Sequence, residues 1–308
     1  MSSLLNIEEF FDLSQNQYDF KKDIIIIAGP TCVGKSMLGM KLAKKINGVL
    51  VNADSVQVYK DIKLLSARPT EEDMRQVPHF LYGYVKPQIN YSIADWLQQL
   101  AEVLEKLEKI RKTAILVGGS GLYLNAVING LAPIPKLKEE TKIKSLLKLN
   151  EIGFDNFKKF NLKIDPQFVS KNQDKHRLLR SYGVFLQTKK NMSYWHKKPR
   201  KGAVKKNIYS FLINLDRNLI YKRCEFRFDY MLENGAIEEV KKLYNSNIDR
   251  TLPIAKSLGV KWLLSYLDKN ISFEEAVSLS KRDTRRYVKR QITWFNNNFI
   301  PYKNINMK

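Results

Sequence analysis

The segment Gly29-Pro30-Thr31-Cys32-Val33-Gly34-Lys35-Ser36 matches the pattern G-x-x-x-x-G-K-[ST]. Residue types in that order can hold phosphate. The glycines let consecutive backbone N–H groups curl around phosphate oxygens, and the helix that follows adds the positive end of its dipole. Lys35 supplies a charge, and the Ser36 hydroxyl can hold Mg²⁺. A bound di- or triphosphate is therefore expected. The pattern does not say which reaction follows. Most proteins with such a loop move a γ-phosphoryl group, with a carboxylate at the end of an apolar strand completing the metal site. Asp54, just after Val49-Leu50-Val51, is one candidate, for catalysis, for metal binding or simply as a helix cap. Asp216, after the apolar run 208–215, is another, and reads equally well as a turn residue. The apolar run 113–117 ends in Gly118-Gly119-Ser120-Gly121, with no acid.

These residues need elements to hold them. Asp23-Ile24-Ile25-Ile26-Ile27-Ala28 is β-branched and apolar on both faces, as a strand buried inside a parallel sheet should be. A helical pattern starts at Lys35, with Leu38, Leu42 and Ile46 one turn apart, and Asn47-Gly48 ends it. Residues 49–51 form a second strand, 93–110 an amphipathic helix, and 113–117 a third strand. This alternation predicts an α/β layered core. After Pro133-Ile134-Pro135 the character changes. Residues 136–180 are polar, Lys-rich and helical in pattern, and 189–206 are strongly basic. A strand returns at 208–215, and 219–296 read as amphipathic helices broken near Thr251-Leu252-Pro253. The expected organisation is an α/β core over 1–135, a mostly helical insertion over 136–206, and a return to the core with further helices over 207–308.

The chain has 308 residues, 44% of them hydrophobic and 27% charged, which suits a folded protein of about two domains. Its longest aliphatic run is too short to span a bilayer, which needs about 20 residues. Two cysteines cannot build a disulfide framework or a four-thiolate zinc site. The first 20 residues carry Glu8, Glu9 and Asp12 and resemble no targeting signal, so a cytoplasmic protein that starts with a short acidic helix or arm is expected. The formal net charge is +22. That favours a polyanionic partner, although a bias toward Lys, Asn and Ile in the coding sequence would raise the lysine count with no ligand at all.

Three segments carry a resemblance. The phosphate loop, then Asp54-Ser55-Val56-Gln57-Val58-Tyr59, then Val117-Gly118-Gly119-Ser120-Gly121-Leu122-Tyr123-Leu124 resemble the tRNA dimethylallyltransferase family, the bacterial tRNA isopentenyltransferases. Arg68-Pro69, Val77-Pro78-His79, Arg177-Leu178-Leu179-Arg180, Arg227 and Lys289-Arg290-Gln291-Ile292-Thr293-Trp294 follow in the family's order. The resemblance spans roughly residues 22–300. It implies a P-loop NTPase-like parallel sheet with a helical tRNA-binding insertion. It also implies a reaction other than phosphoryl transfer: dimethylallyl diphosphate donates its prenyl group to N6 of the adenosine 3′-adjacent to the anticodon, and diphosphate leaves.

The resemblance assigns roles. Residues 29–36 would cradle the diphosphate with Mg²⁺ at Ser36, and Thr31, Lys35 and Arg227 would stabilise the charge developing on the leaving oxygens. The adenine amine must lose a proton as it attacks, and Asp54 would accept it. Ser55, Val56 and Gln57 would line the adenosine pocket, to which the base must be extruded at a cost of a few kcal/mol. Ser120, Lys142, His176, Arg177, Leu178, Leu179, Arg180, Lys289, Arg290 and Trp294 would meet the anticodon stem-loop, with Lys281, Arg282, Arg285 and Arg286 enriching the last group's surroundings. Charge so placed favours RNA over coding bias. A monomer needing no membrane is expected. The departures from the family pattern are Cys32-Val33 for Ala-Ser, Ser120 for Thr, Val260 for a Tyr after Gly259, and Lys189 for a Gly after Thr188. A prenyltransferase acting on free adenine nucleotide would share the loop and Asp54 but has little use for a basic insertion. A P-loop kinase would need lid arginines and a nucleoside pocket that the sequence does not reveal. A non-catalytic RNA-binding protein would leave the phosphate loop without a purpose.

Overall fold

A computed structural model describes residues 7–11, 18–19 and 22–307 of the chain. In chain order the elements begin with helix α1 (Ile7–Phe10), strand β1 (Asp23–Ala28), α2 (Lys35–Ile46), β2 (Val49–Asn52), α3 (Glu71–Gln76), β3 (His79–Phe80), α4 (Ile93–Lys109), β4 (Ala114–Gly118) and α5 (Gly121–Asn129). Four helices follow: α6 (Glu139–Ile164), α7 (Pro166–Lys171), α8 (Lys175–Thr188) and α9 (Met192–His196). The chain continues with β5 (Asn207–Asn214), α10 (Arg217–Glu233), α11 (Ala236–Asn245), α12 (Val260–Leu267), α13 (Phe273–Asn298) and β6 (Lys303–Asn306).

The six strands form one parallel sheet in the order β3-β2-β4-β1-β5-β6. The most apolar strand takes a central place: all six residues of β1 are buried, and it pairs with β4 on one side and β5 on the other. Ile25, Ile27, Leu38, Leu42, Ile115, Phe211 and Ile220 form one core cluster, so α2 and α10 are held against the sheet by burial. Phe11 joins that core, its ring 4.7 Å from Phe211 in an edge-to-face arrangement. Glu8 pairs with Lys45 at 2.7 Å, whereas Asp12 lies outside the described residues. Ligands of open α/β sheets bind beyond the carboxyl ends of the strands. The glycine-rich loop leaves β1 at that end and opens α2, which makes this a P-loop NTPase-like sheet.

The chain divides into two compact units, one of residues 1–128 with 204–308 and one of residues 129–203. These boundaries differ from the expected 136 and 206. Leu131 and Lys201 exchange two backbone hydrogen bonds of 2.8 and 2.9 Å, so the segment up to Pro135 belongs to the insertion. Val204 donates to the Val127 carbonyl at 2.9 Å, so the core resumes before Asn207. The insertion is helical and has its own small core of Leu149, Phe157, Phe168, Val169, Leu178, Val184 and Met192. Its longest helix, α6, is interrupted at Gly153, whose φ of 74° breaks the helical backbone.

Two strands escape the sequence pattern. β3 has only two residues, and β6 at the sheet edge buries only Ile305. Neither is long or apolar enough to announce itself.

Candidate active site

The phosphate loop is shaped by backbone conformations that glycine favours. Gly29 has φ +149°, and a Cβ there would sit 2.7 Å from the Ile213 carbonyl oxygen on β5; Gly34 caps α2 with φ +102°. Cys32 adopts φ 62° without being glycine, a strained position for a side chain. The Lys35 ammonium donates to the Pro30 carbonyl at 2.6 Å, folding the lysine back along the loop.

A cavity of about 400 Å³ opens beside this loop. Thr31, Cys32, Lys35 and Ser36 line it from the loop, Asp54 and Gln57 from the segment after β2, Gly118 and Gly119 from the end of β4. Arg223 and Arg227 reach it from α10, and Gln291 from α13. Thus Thr31, Lys35, Ser36, Asp54 and Arg227, scattered over nearly 200 residues of sequence, share one cavity. Arg227 Nη2 donates to Thr31 Oγ1 at 2.8 Å, which sets a guanidinium against the loop.

Asp54 is held by a short network. Trp96 Nε1 donates to the Asn52 carbonyl at 3.0 Å, fixing the end of β2. The Asn52 side chain accepts from the Asp54 N–H at 2.8 Å and donates to the Asp54 and Leu81 carbonyls, both at 2.9 Å. Asp54 Oδ1 then accepts from the Val56 N–H at 2.9 Å, leaving its second oxygen for other partners. The aspartate is therefore a local turn-former rather than a helix cap. Asp216, by contrast, caps α10: its side chain accepts from the Asn218 and Leu219 N–H groups, and it does not line the cavity. Ser55 donates its N–H to Ser120 Oγ at 3.1 Å, joining the Asp54 turn to the end of β4. Gln57 Nε2 donates to the Ser66 and Ala67 carbonyls at 2.9 and 2.8 Å, so it braces a neighbouring loop.

Close approach explains the glycines after β4. A Cβ on Gly118 would lie 2.1 Å from the Ala53 carbonyl oxygen, and one on Gly121 would lie 2.1 Å from the Trp294 ring. Trp294 therefore packs over the start of α5. Lys289 and Arg290 on the same helix are exposed, with Arg290 lying over the Tyr287 ring. The neighbouring cations are engaged with acids: Lys281 with Asp229, Arg282 and Arg286 with Asp283, and Arg285 with Glu225.

The electrostatics follow from crowding. Burial lowers the Lys35 ammonium from its ordinary value to about 8, with Asp54 pulling the other way. The Cys224 thiol on α10 hydrogen-bonds Cys32 and holds it below the usual thiol range against the effect of burial, with Arg227 and Lys35 assisting. The same contact raises Cys224. Burial also raises Tyr287, which faces Asp54 and hydrogen-bonds Ser120.

In the helical unit, Lys142, His176, Arg177 and Arg180 are all exposed. Lys142 pairs with Glu139 at 2.7 Å, and Arg177 with Asp174 at 3.2 Å. Leu178, expected among the RNA contacts, is instead fully buried in that unit's core; it orients the helix, and only its polar neighbours can reach a ligand. Leu179 is partly buried against the same core. Val260 is also fully buried, so the missing tyrosine there changes packing rather than an exposed contact. Lys189 takes the left-handed backbone at the end of α8, φ 56°, so the turn keeps a glycine-like shape without glycine.

The residues that sequence reasoning missed are Gln291, Arg223 and Asn52. Gln291 sits inside the 289–294 motif but shows its purpose only when α13 meets the phosphate loop. Asn52 had a signal: it is the polar residue that ends an otherwise apolar strand.

The IPP transferase family profile matches residues 57–298. A tRNA dimethylallyltransferase from Bartonella henselae is 39% identical over 281 residues, covering 90% of this chain and 96% of the relative. The structure of a tRNA isopentenylpyrophosphate transferase from Bacillus halodurans matches with a TM-score of 0.66 and 30% identity, covering 92% of this chain and 90% of that one. A eukaryotic dimethylallyltransferase captured acting on tRNA matches with a TM-score of 0.75 and 28% identity, over 89% of this chain and 70% of that one.

Proposed function

The chain belongs to the IPP transferase family, and on that premise we propose that its phosphate cradle holds the diphosphate of dimethylallyl diphosphate while Asp54 serves an attacking adenine. The enzyme is a tRNA dimethylallyltransferase. The proposed reaction forms a bond between N6 of the adenosine 3′-adjacent to the anticodon and the allylic carbon of the donor. The carbon–oxygen bond to diphosphate breaks, and the N6 proton passes to Asp54. The observation that carries this reading is the cavity itself, which Asp54 shares with Thr31, Lys35 and Arg227.

Each group has a task that its chemistry supports. N–H groups of the loop, Lys35 and Arg227 stabilise negative charge as it grows on the leaving oxygens, a preorganised arrangement that needs no rearrangement during reaction. Mg²⁺, when bound, would neutralise part of that charge. Among the described residues there is no cluster of three or more His, Cys, Asp or Glu to cage a metal. That suits a Mg²⁺ held mainly by substrate phosphate and water, with the exposed Ser36 hydroxyl as a protein ligand. Adenine N6 is a weak nucleophile because its lone pair is delocalised into the ring, so the carboxylate matters most as N6 becomes cationic. Ser55, Val56 and Gln57, beside Asp54, would line the pocket for the extruded base, with Ser120 close by.

The anticodon stem-loop would meet the exposed Lys142, His176, Arg177 and Arg180 of the helical unit and the exposed Lys289 and Arg290 of α13. A tRNA substrate also favours the cytoplasm as the place of action. The deciding experiment supplies the protein with Mg²⁺, dimethylallyl diphosphate and either an anticodon stem-loop or AMP, and reads products by mass spectrometry. The five-carbon mass gain belongs on the stem-loop. A gain on AMP alone, or phosphate transfer from ATP with allylic donors ignored, would overturn the reading.

A further inference from the structure

Gln291 is the one polar side chain of α13 that is both buried and part of the cavity wall: it is only 6% exposed. Its amide makes two hydrogen bonds across very long sequence separations. Oε1 accepts from the Thr31 N–H at 2.9 Å, and Nε2 donates to the Gly119 carbonyl at 2.9 Å. The two partners fix the amide's orientation, because an N–H needs the oxygen and a carbonyl needs the NH₂ group. Gly119 leaves room for this contact, since a Cβ there would sit 2.4 Å from Nε2.

The two ends of the strap belong to different halves of the site. Thr31 lies in the phosphate loop, and its hydroxyl already accepts from Arg227. Gly119 directly precedes Ser120, whose hydroxyl accepts from the Ser55 N–H next to Asp54. The Thr31 N–H is bonded to Gln291, which leaves the other N–H groups of the loop as the donors for phosphate. Gln291 therefore bonds the loop itself. It connects the part that holds the leaving group to the part that holds the proton acceptor.

We propose that Gln291 is a positioning residue that sets the spacing between the phosphate loop and the Asp54 turn, and so controls turnover rather than substrate affinity. This rests on the prenyl-transfer reading. A displacement of about 1 Å at a reacting pair can cost roughly 10²-fold in rate. Gln291→Met keeps the side chain's length and removes both bonds. Gln291→Asn keeps a neutral amide but is one methylene too short to reach both Thr31 and Gly119, and like Met it adds no charge to a cavity proposed to bind an anion. The test compares both variants with the wild-type enzyme for kcat on an anticodon stem-loop and for the Kd of dimethylallyl diphosphate measured by calorimetry without RNA. In both variants kcat should fall by about 10²-fold while the donor Kd stays within threefold. A kcat loss below tenfold in Gln291→Met overturns the proposal. So does a donor affinity that falls in step with kcat, because that marks a merely structural residue. The wild-type arm keeps the two ideas apart: if the unaltered enzyme transfers no prenyl group, the reaction assignment fails, whereas the variant-to-wild-type ratios judge Gln291.

Discussion

Replacing Asp54 by asparagine tests the proposed proton acceptor with little disturbance to its surroundings. In the structure Asp54 Oδ1 accepts from the Val56 N–H, and an asparagine oxygen can accept the same bond. The Asn52 contacts are made by the Asp54 backbone, so the turn survives the change. What disappears is a negative charge and a basic oxygen. Loss of a general base typically costs about 10²–10⁴-fold in rate, equivalent to roughly 3–5 kcal/mol in the barrier. Asp54 is also the largest influence raising the Lys35 ammonium against its burial, so the variant should hold that proton less tightly. Two readings should therefore move together. Single-turnover prenyl transfer to a stem-loop falls by at least 10²-fold with RNA affinity nearly unchanged. The pH above which dimethylallyl diphosphate affinity declines shifts downward. Turnover within tenfold of wild type would refute the assignment of Asp54 as base, and an unmoved pH dependence would refute its coupling to Lys35.

Arg227→Ala removes both the 2.8 Å bond to Thr31 and the cation proposed to stabilise the leaving group; kcat/KM for the donor should fall by about 10²–10³-fold, and unchanged donor kinetics would remove Arg227 from the site. Lys35 gives a pH dependence whose sign is fixed. Its ammonium in the free enzyme loses its proton above about 8, and an anionic donor needs it charged, so donor affinity should weaken as pH rises from 8, by up to tenfold per unit. Calorimetry near pH 8.5 in buffers of different ionisation enthalpy should register proton uptake on binding, and a flat profile from pH 7 to 9.5 would contradict this. Gly118→Ala forces a Cβ to 2.1 Å from the Ala53 carbonyl oxygen, so the variant should lose about 1–3 kcal/mol of stability, read as a lowered thermal midpoint; an unchanged midpoint would mean the strands part freely there.

Most of the sheet was legible because its signals are local. The apolar run of β1, the glycine pattern and the periodicity of α2 all lie within residues 23–46, and each states its own structure. Asp54 was legible as an acid closing a buried strand. The resemblance joined Asp54 and Arg227 in one site, but the part of Gln291 was not legible, since it is made by packing α13 against the phosphate loop, 260 positions away in the chain. Leu178 shows the reverse limit. It stands inside a recognisable motif, yet helical geometry turns it into the insertion's own core while Arg177 and Arg180 face outward. The cations at 281–286 show a third: a basic run in the sequence is largely paired with acids once α10 lies beside α13.

The stitch between Leu131 and Lys201 has an evolutionary consequence. Because the incoming and outgoing stems of the helical unit are bonded to each other, everything between them is a closed excursion of the chain. Lengthening or trimming such an excursion changes its closure entropy only slowly, by about 0.6 kcal/mol per doubling. Descendants could thus remodel the helical unit, where the RNA contacts are proposed to lie, while the sheet keeps its register, and a designer could graft a different module at the same two stems.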